Sequence, residues 1–89
     1  MALQIINAGP DPEQILTRLR EAIEGALPGA AVEVGCGSPG HFEIRVSSEA
    51  FAGRSTVQQH QLVYAAITDL MTGDDAPVHA VDRLECRAP

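Results

Sequence analysis

The segment His41-Phe42-Glu43-Ile44-Arg45-Val46-Ser47 decides the fold. Its apolar residues Phe42, Ile44 and Val46 alternate with polar ones, so that one face of the segment is apolar and the other is polar or charged. A period of two predicts a β-strand that packs one face against a core and turns the other to solvent.

Upstream of this strand, the chain predicts a hairpin preceded by a helix. The stretch 31–34 is typical of a short strand, and Gly35-Cys36-Gly37-Ser38-Pro39-Gly40 indicates a connecting loop by its composition. A helix is predicted over 11–27, because Asp11 is a good N-cap and Pro12 suits the first helical position. Pro28-Gly29 ends it.

Downstream, a connector over 48–53 is expected to contain one helical turn around Phe51, and a second helix is predicted over 55–71. The stretch 78–86 alternates again and predicts a third strand, interrupted at Asp82. In this pattern one face carries Val78, Ala80, Leu84 and Cys86, and the other carries His79, Val81, Arg83 and Glu85.

The resulting order, α-β-β-α-β, predicts an α+β fold with a three-stranded mixed sheet and both helices on one face. We expect a flexible N-terminal segment over 1–10, a single domain over 11–86 and a short tail over 87–89. With 89 residues there is room for only one domain of this kind.

Composition limits the function classes. The net charge is −6, with six arginines and no lysine, which disfavours contact with a phosphate backbone. No apolar run approaches the roughly 20 residues of a membrane span, and the first ten residues show no targeting pattern, so we expect a cytoplasmic protein with two reduced thiols.

Three spaced motifs then resemble one known family. They are Phe51-Ala52-Gly53, the helical run Val57-Gln58-Gln59-His60-Gln61-Leu62-Val63-Tyr64, and Val78-His79-Ala80-Val81. Together they resemble the BolA signature, over about Pro12 to Leu84. Gln59 stands where the family often has Arg, and the Thr-Pro and Trp that usually follow the third strand are missing.

The resemblance implies a class II K-homology-like fold and a role in iron–sulfur cluster trafficking or regulation. Known members bind a monothiol glutaredoxin and share a [2Fe–2S] cluster with it. The ligands on the BolA side would be His79, from the His-Ala motif, and a Cys or His from the loop between the first two strands. Some bacterial members are described instead as DNA-binding transcription regulators, which is the alternative function.

For the second ligand, Cys36 and His41 remain alternatives. Cys36 lies between two glycines, where a thiolate is free to move onto iron, and we favour it. Cys36 and His79 are expected to share an exposed site if the third strand lies beside the hairpin strand carrying this loop. Because a cluster needs four ligands, the others are expected from the glutaredoxin cysteine and glutathione, and the isolated protein, a monomer or weak dimer, should carry none.

The remaining polar residues favour plainer roles. His60 lies on the apolar side of the second helix and Cys86 alternates inward, so both are interpreted as structural. Gln58, Gln59 and Gln61 offer groups able to read adenine edges, but an exposed polar helix face is the better explanation of them. A Cys–His pair of Cys36 with His41 or His79 lacks an oxyanion-hole motif and an orienting third residue, so we predict that the protein is not an enzyme.

Overall fold

The computed structural model describes residues 11–89, so the predicted flexible segment 1–10 lies outside the described residues. The elements are α1 (Pro12–Ala26), β1 (Ala31–Ser38), β2 (His41–Ser47), a 3-10 turn (Glu49–Phe51), α2 (Thr56–Met71) and β3 (Ala80–Arg87). This order confirms the predicted α-β-β-α-β arrangement and its additional turn. Within this part of the chain no helix is both long and apolar enough to cross a membrane.

Both helices begin at side-chain caps. The Asp11 carboxylate accepts a hydrogen bond from the Glu13 N–H at 3.0 Å, and Pro12 occupies the first helical position. At the start of α2, Ser55 and Gln58 form a reciprocal capping box: each side chain accepts from the other's backbone N–H at 3.1 Å. These local bonds satisfy backbone donors that the first helical turn leaves without a partner.

The strands form one mixed sheet in the order β1-β2-β3. β1 pairs with β2 in antiparallel fashion, and β3 pairs with β2 in parallel. The segment that predicts the fold is therefore the central strand, and its apolar and polar residues fall on opposite faces as expected.

One face of the sheet is covered by both helices. Phe42, Ile44 and Val46 of β2 are at most 2% exposed and belong to one hydrophobic cluster with apolar residues of α1 and α2. The opposite face carries charge: Arg45 lies 3.5 Å from both Glu33 and Glu85. The prediction of a mixed sheet with helices on one side is confirmed.

The predicted loop 35–40 is wrong in extent. β1 continues through Ser38, with Gly35 opposite Glu43 and Cys36 opposite Phe42. Gly37 is the extra residue of a β-bulge, and only Pro39-Gly40 forms the turn. Glycines disfavour a strand, but the pairing of this segment with β2 outweighs their low strand propensity.

The third strand also differs from its prediction. It begins at Ala80 rather than Val78, which is buried just before it, and it continues to Arg87. A register shift makes Asp82 an extra residue, so that Val81 pairs with the buried Phe42 and packs against the core. The predicted faces of Ala80 and Val81 are therefore wrong, because a bulge interrupts the alternation from which they were assigned.

Candidate functional site

A groove of about 510 Å³ lies at the end of the sheet where β2 begins. The first turn of α1, the end of β1 with its hairpin turn, and the connection between α2 and β3 all contribute to it. Its lining consists of Pro12, Ile15, Cys36, Pro39, Gly40, Phe42, Asp74, Asp75, Ala76, Pro77 and His79. The two candidate ligands that we favour therefore line one groove, although they are 43 positions apart in the sequence.

His79 is the last residue before β3 and is exposed. The backbone N–H groups of His79 and Ala80 both donate to the Gly40 carbonyl, at 2.9 and 3.0 Å. On the other side, the Val78 N–H donates to the Leu70 carbonyl and the Val78 side chain is buried. The main chain of His79 is thus held on both sides, while its ring remains accessible.

Cys36 is exposed near the end of β1, on an edge strand. Its thiol donates to the Ser38 carbonyl at 3.1 Å. Because Cys36 pairs with the core-facing Phe42, it lies on the face of the sheet that carries the helices. The expectation of a freely moving loop position is not met, because the residue belongs to a paired strand.

The condition for a shared site holds. β3 lies beside β2, which begins directly after the Pro39-Gly40 turn, and these two strands are parallel. The start of β3 and the end of β1 therefore meet at the same end of the sheet. This arrangement brings His79 and Cys36 to one groove.

His41 is positioned differently. It precedes the buried Phe42 in β2, so its side chain points to the other face of the sheet. There its Nδ1 lies 3.1 Å from Asp82 Oδ1. It does not line the groove, whereas Cys36 does.

The groove also holds residues that the sequence did not single out. Asp74 and Asp75 line it, from the connection that follows the second helix. Within residues 11–89, no group of three or more His, Cys, Asp or Glu side chains is arranged to hold a metal ion.

The two residues interpreted as structural lie at the other end of the sheet, in a groove of about 770 Å³. His60 is half-buried there on α2. Cys86 pairs with Val46 and packs against the core, and burial raises the pKa of its thiol. A partly buried thiol of this kind packs as a small apolar side chain.

The fold and groove together define a small α+β domain that presents a thiol and an imidazole at one end of its sheet. A family model described as BolA-like protein matches residues 24–89. Human BolA-like protein 1 is 36% identical over 86 residues, which cover 91% of this chain and 60% of the human protein. The chain belongs to the BolA-like family.

Solved structures agree with this assignment. The solution structure of BolA1 from Mus musculus has a TM-score of 0.67 and 28% identity, covering 100% of this chain and 75% of the mouse chain. A BolA homologue from Coxiella burnetii also has a TM-score of 0.67, with 30% identity, covering 82% and 88% of the two chains. The chain spans about 60% of the length of the mammalian relatives it matches.

Proposed function

We propose that this chain is a partner of a monothiol glutaredoxin and that the two proteins hold a [2Fe–2S] cluster jointly. His79 and Cys36 are the ligands on this side. The observation that carries the proposal is that both side chains are exposed and line one groove, although they come from different parts of the sheet. Family membership supports the same role. The role is non-catalytic and we assign it to the cytoplasm.

The donor set suits the cargo. Thiolate and imidazole are both ligands of iron in [2Fe–2S] centres, and replacing a thiolate with imidazole raises the reduction potential of such a cluster. Two donors satisfy half of the four positions that a cluster requires. The glutaredoxin cysteine and glutathione would supply the other two.

The competing choice of His41 is disfavoured by its surroundings. It projects from the opposite face of the sheet and pairs with Asp82. To reach the groove it would have to leave this partner and cross the sheet at Phe42, which is 1% exposed.

The test mixes the protein with a cluster-loaded monothiol glutaredoxin under anaerobic conditions and follows visible absorption and circular dichroism. The isolated protein is expected to purify colourless, and the mixture to form a heterodimer with an altered spectrum. His79→Ala should abolish the spectral change, and Cys36→Ser should weaken the cluster more than His41→Ala does.

Each variant has an outcome that counts against an assignment. An unaltered heterodimer spectrum in His79→Ala would remove His79 from the ligand set. A larger effect of His41→Ala than of Cys36→Ser would make His41 the second ligand and Cys36 incidental.

A further inference from the structure

We infer that Gly40 is a positioning residue for His79: its missing side chain leaves the space in which the His79 ring lies. The inference rests on the proposed function in one respect: the orientation of the ring matters because His79 is proposed as a cluster ligand. The contact between the two residues lies within this chain and does not depend on a partner.

The main chain holds Gly40 and His79 together. The Gly40 carbonyl accepts hydrogen bonds from both His79 and Ala80, at 2.9 and 3.0 Å. The hairpin turn therefore fixes the backbone at the entrance to β3. With Val78 buried on the preceding side, the backbone of His79 has little freedom to move away from Gly40.

The His79 side chain occupies the space that a side chain at position 40 would need. A Cβ at position 40 would lie 2.5 Å from Nδ1 and 2.8 Å from Cγ of His79, closer than van der Waals contact allows. Of the seven glycines within residues 11–89, the other six have no heavy atom within 4 Å of such a Cβ. The close approach is thus specific to the pair Gly40–His79.

Gly40 also adopts φ +79°, a conformation that favours glycine for reasons unrelated to His79. Proline followed by glycine at positive φ matches the central pair of a type II turn. An experiment must therefore separate backbone strain from the contact with the ring. Gly29, at φ +85° and with open space around it, is a matched control for strain alone.

The same turn connects the two candidate ligands. The Cys36 thiol donates to the carbonyl of Ser38, and Gly40 lies two residues further on against the His79 ring. Displacing the ring from Gly40 changes the position of the ring relative to the Cys36 thiol, so a substitution at Gly40 should alter the geometry of the two candidate ligands without removing either donor.

The first measurement is NMR of the isotope-labelled histidine rings in the isolated protein. In Gly40→Ala the ring resonances and tautomer balance of His79 should change, whereas those of His60, at the other end of the sheet, should stay in place. Gly40→Asn, which tolerates positive φ but adds a Cβ, should give the same change with less backbone strain. Gly29→Ala should leave the His79 ring unaltered. Unchanged His79 resonances in both Gly40 variants would refute the inference.

The second measurement is a double-mutant cycle read from urea midpoints. Gly40→Ala should lower the midpoint more in the presence of His79 than in a His79→Ala background, where the ring is absent. In the His79→Ala background, Gly40→Ala should lower the urea midpoint by about as much as Gly29→Ala does. Equal losses in the two backgrounds would mean that strain alone explains the glycine, and the inference would fail.

The glutaredoxin mixture separates this inference from the proposed function. If His79→Ala leaves the heterodimer spectrum unchanged while the ring resonances respond to Gly40→Ala, the proposed function fails and the positioning role stands. If His79→Ala abolishes the spectral change but the ring resonances and the cycle show no response, the positioning role fails alone.

Discussion

The two cysteines of this chain occupy contrasting environments. Cys36 is exposed, and its thiol donates a hydrogen bond to a backbone carbonyl in the same strand. Cys86 is half-buried beside Val46, and burial raises the pKa of its thiol. Cys36 is therefore open to solvent, whereas the partial burial of Cys86 gives a pH-dependent contribution to stability.

We expect Cys86 to make the fold less stable at alkaline pH. Because its folded-state pKa is raised, its contribution is fully present below the unfolded thiol pKa of about 8.5 and is lost as pH rises through the folded value. Urea unfolding at about pH 7.5 and about pH 10 should show a smaller alkaline loss in Cys86→Ala than in the wild type. Cys36→Ala is the control and should keep the wild-type loss; an equal loss in all three proteins would contradict the prediction.

The pair of His41 and Asp82 should contribute little to stability. Their side chains are 44% and 55% exposed, so solvent screens the interaction. A double-mutant cycle of His41→Ala and Asp82→Ala, read by urea unfolding, should give a coupling of about 0.2–1 kcal/mol. A much larger coupling would show that the pair has a structural role that its exposure does not suggest.

At the scale of elements, the start of α2 depends on its capping box. Replacing Ser55 with Ala removes the acceptor for the Gln58 N–H and should cost about 1 kcal/mol of unfolding free energy. Ser55→Gly should cost only a few tenths of a kcal/mol, because glycine is tolerated at this position. Urea unfolding of the two variants checks the order, and equal costs would mean that the serine side chain is not the stabilising group.

The helices were predicted almost to the residue because their ends are encoded locally. Asp11 with Pro12 starts α1, and the pattern from Ser55 starts α2. Strand ends depend on partners distant in sequence. β1 extends past its glycines because β2 pairs with them, and the bulge at Asp82 moves Val81 to the core face. No local pattern encodes either outcome.

The candidate site was predictable only in part, for the same reason. The resemblance of short motifs to the family is enough to single out His79 and Cys36 as candidates. The prediction that β3 lies beside the hairpin is confirmed, and both residues line one groove. The contact of Gly40 with His79 joins a turn to a connection 39 positions later, and the acidic lining from Asp74 and Asp75 depends on how that connection folds back. These features depend on tertiary packing, which the turn motif alone does not specify.

At the scale of the whole molecule, the arrangement of charge bears on the alternative of DNA binding. Two arginines on the open face of the sheet, Arg45 and Arg83, lie beside Glu85. Arg54, just before α2, donates from Nε to the Ala50 carbonyl at 2.8 Å. α2 itself contains no Arg or Lys, and its one charged residue is Asp69. The helix that would read a groove therefore lacks cations for the flanking phosphates.

We accordingly expect duplex DNA to bind weakly, with a Kd of about 10⁻⁴ M or weaker at physiological salt, because counterion release requires cations at the interface. A mobility-shift assay over random and mixed-sequence duplexes should show no discrete complex. Sequence-specific binding at nanomolar concentration would reverse the order of the two functions.

A charge-gain variant tests the reason for this weakness. Gln61 and Ala65 are exposed and lie one turn apart on α2. The double variant Gln61→Arg/Ala65→Arg should bind DNA more tightly than the wild type, and added salt should remove this gain. The plot of the logarithm of the binding constant against the logarithm of the salt concentration should be steeper by about 0.9 for each new phosphate contact. Gln61→Asn/Ala65→Ser is the uncharged control and should not differ from the wild type. If two cations on this face leave binding unchanged, then the shape of the helix face or the net charge of −6 prevents approach to the duplex, and the local lack of cations is not the cause.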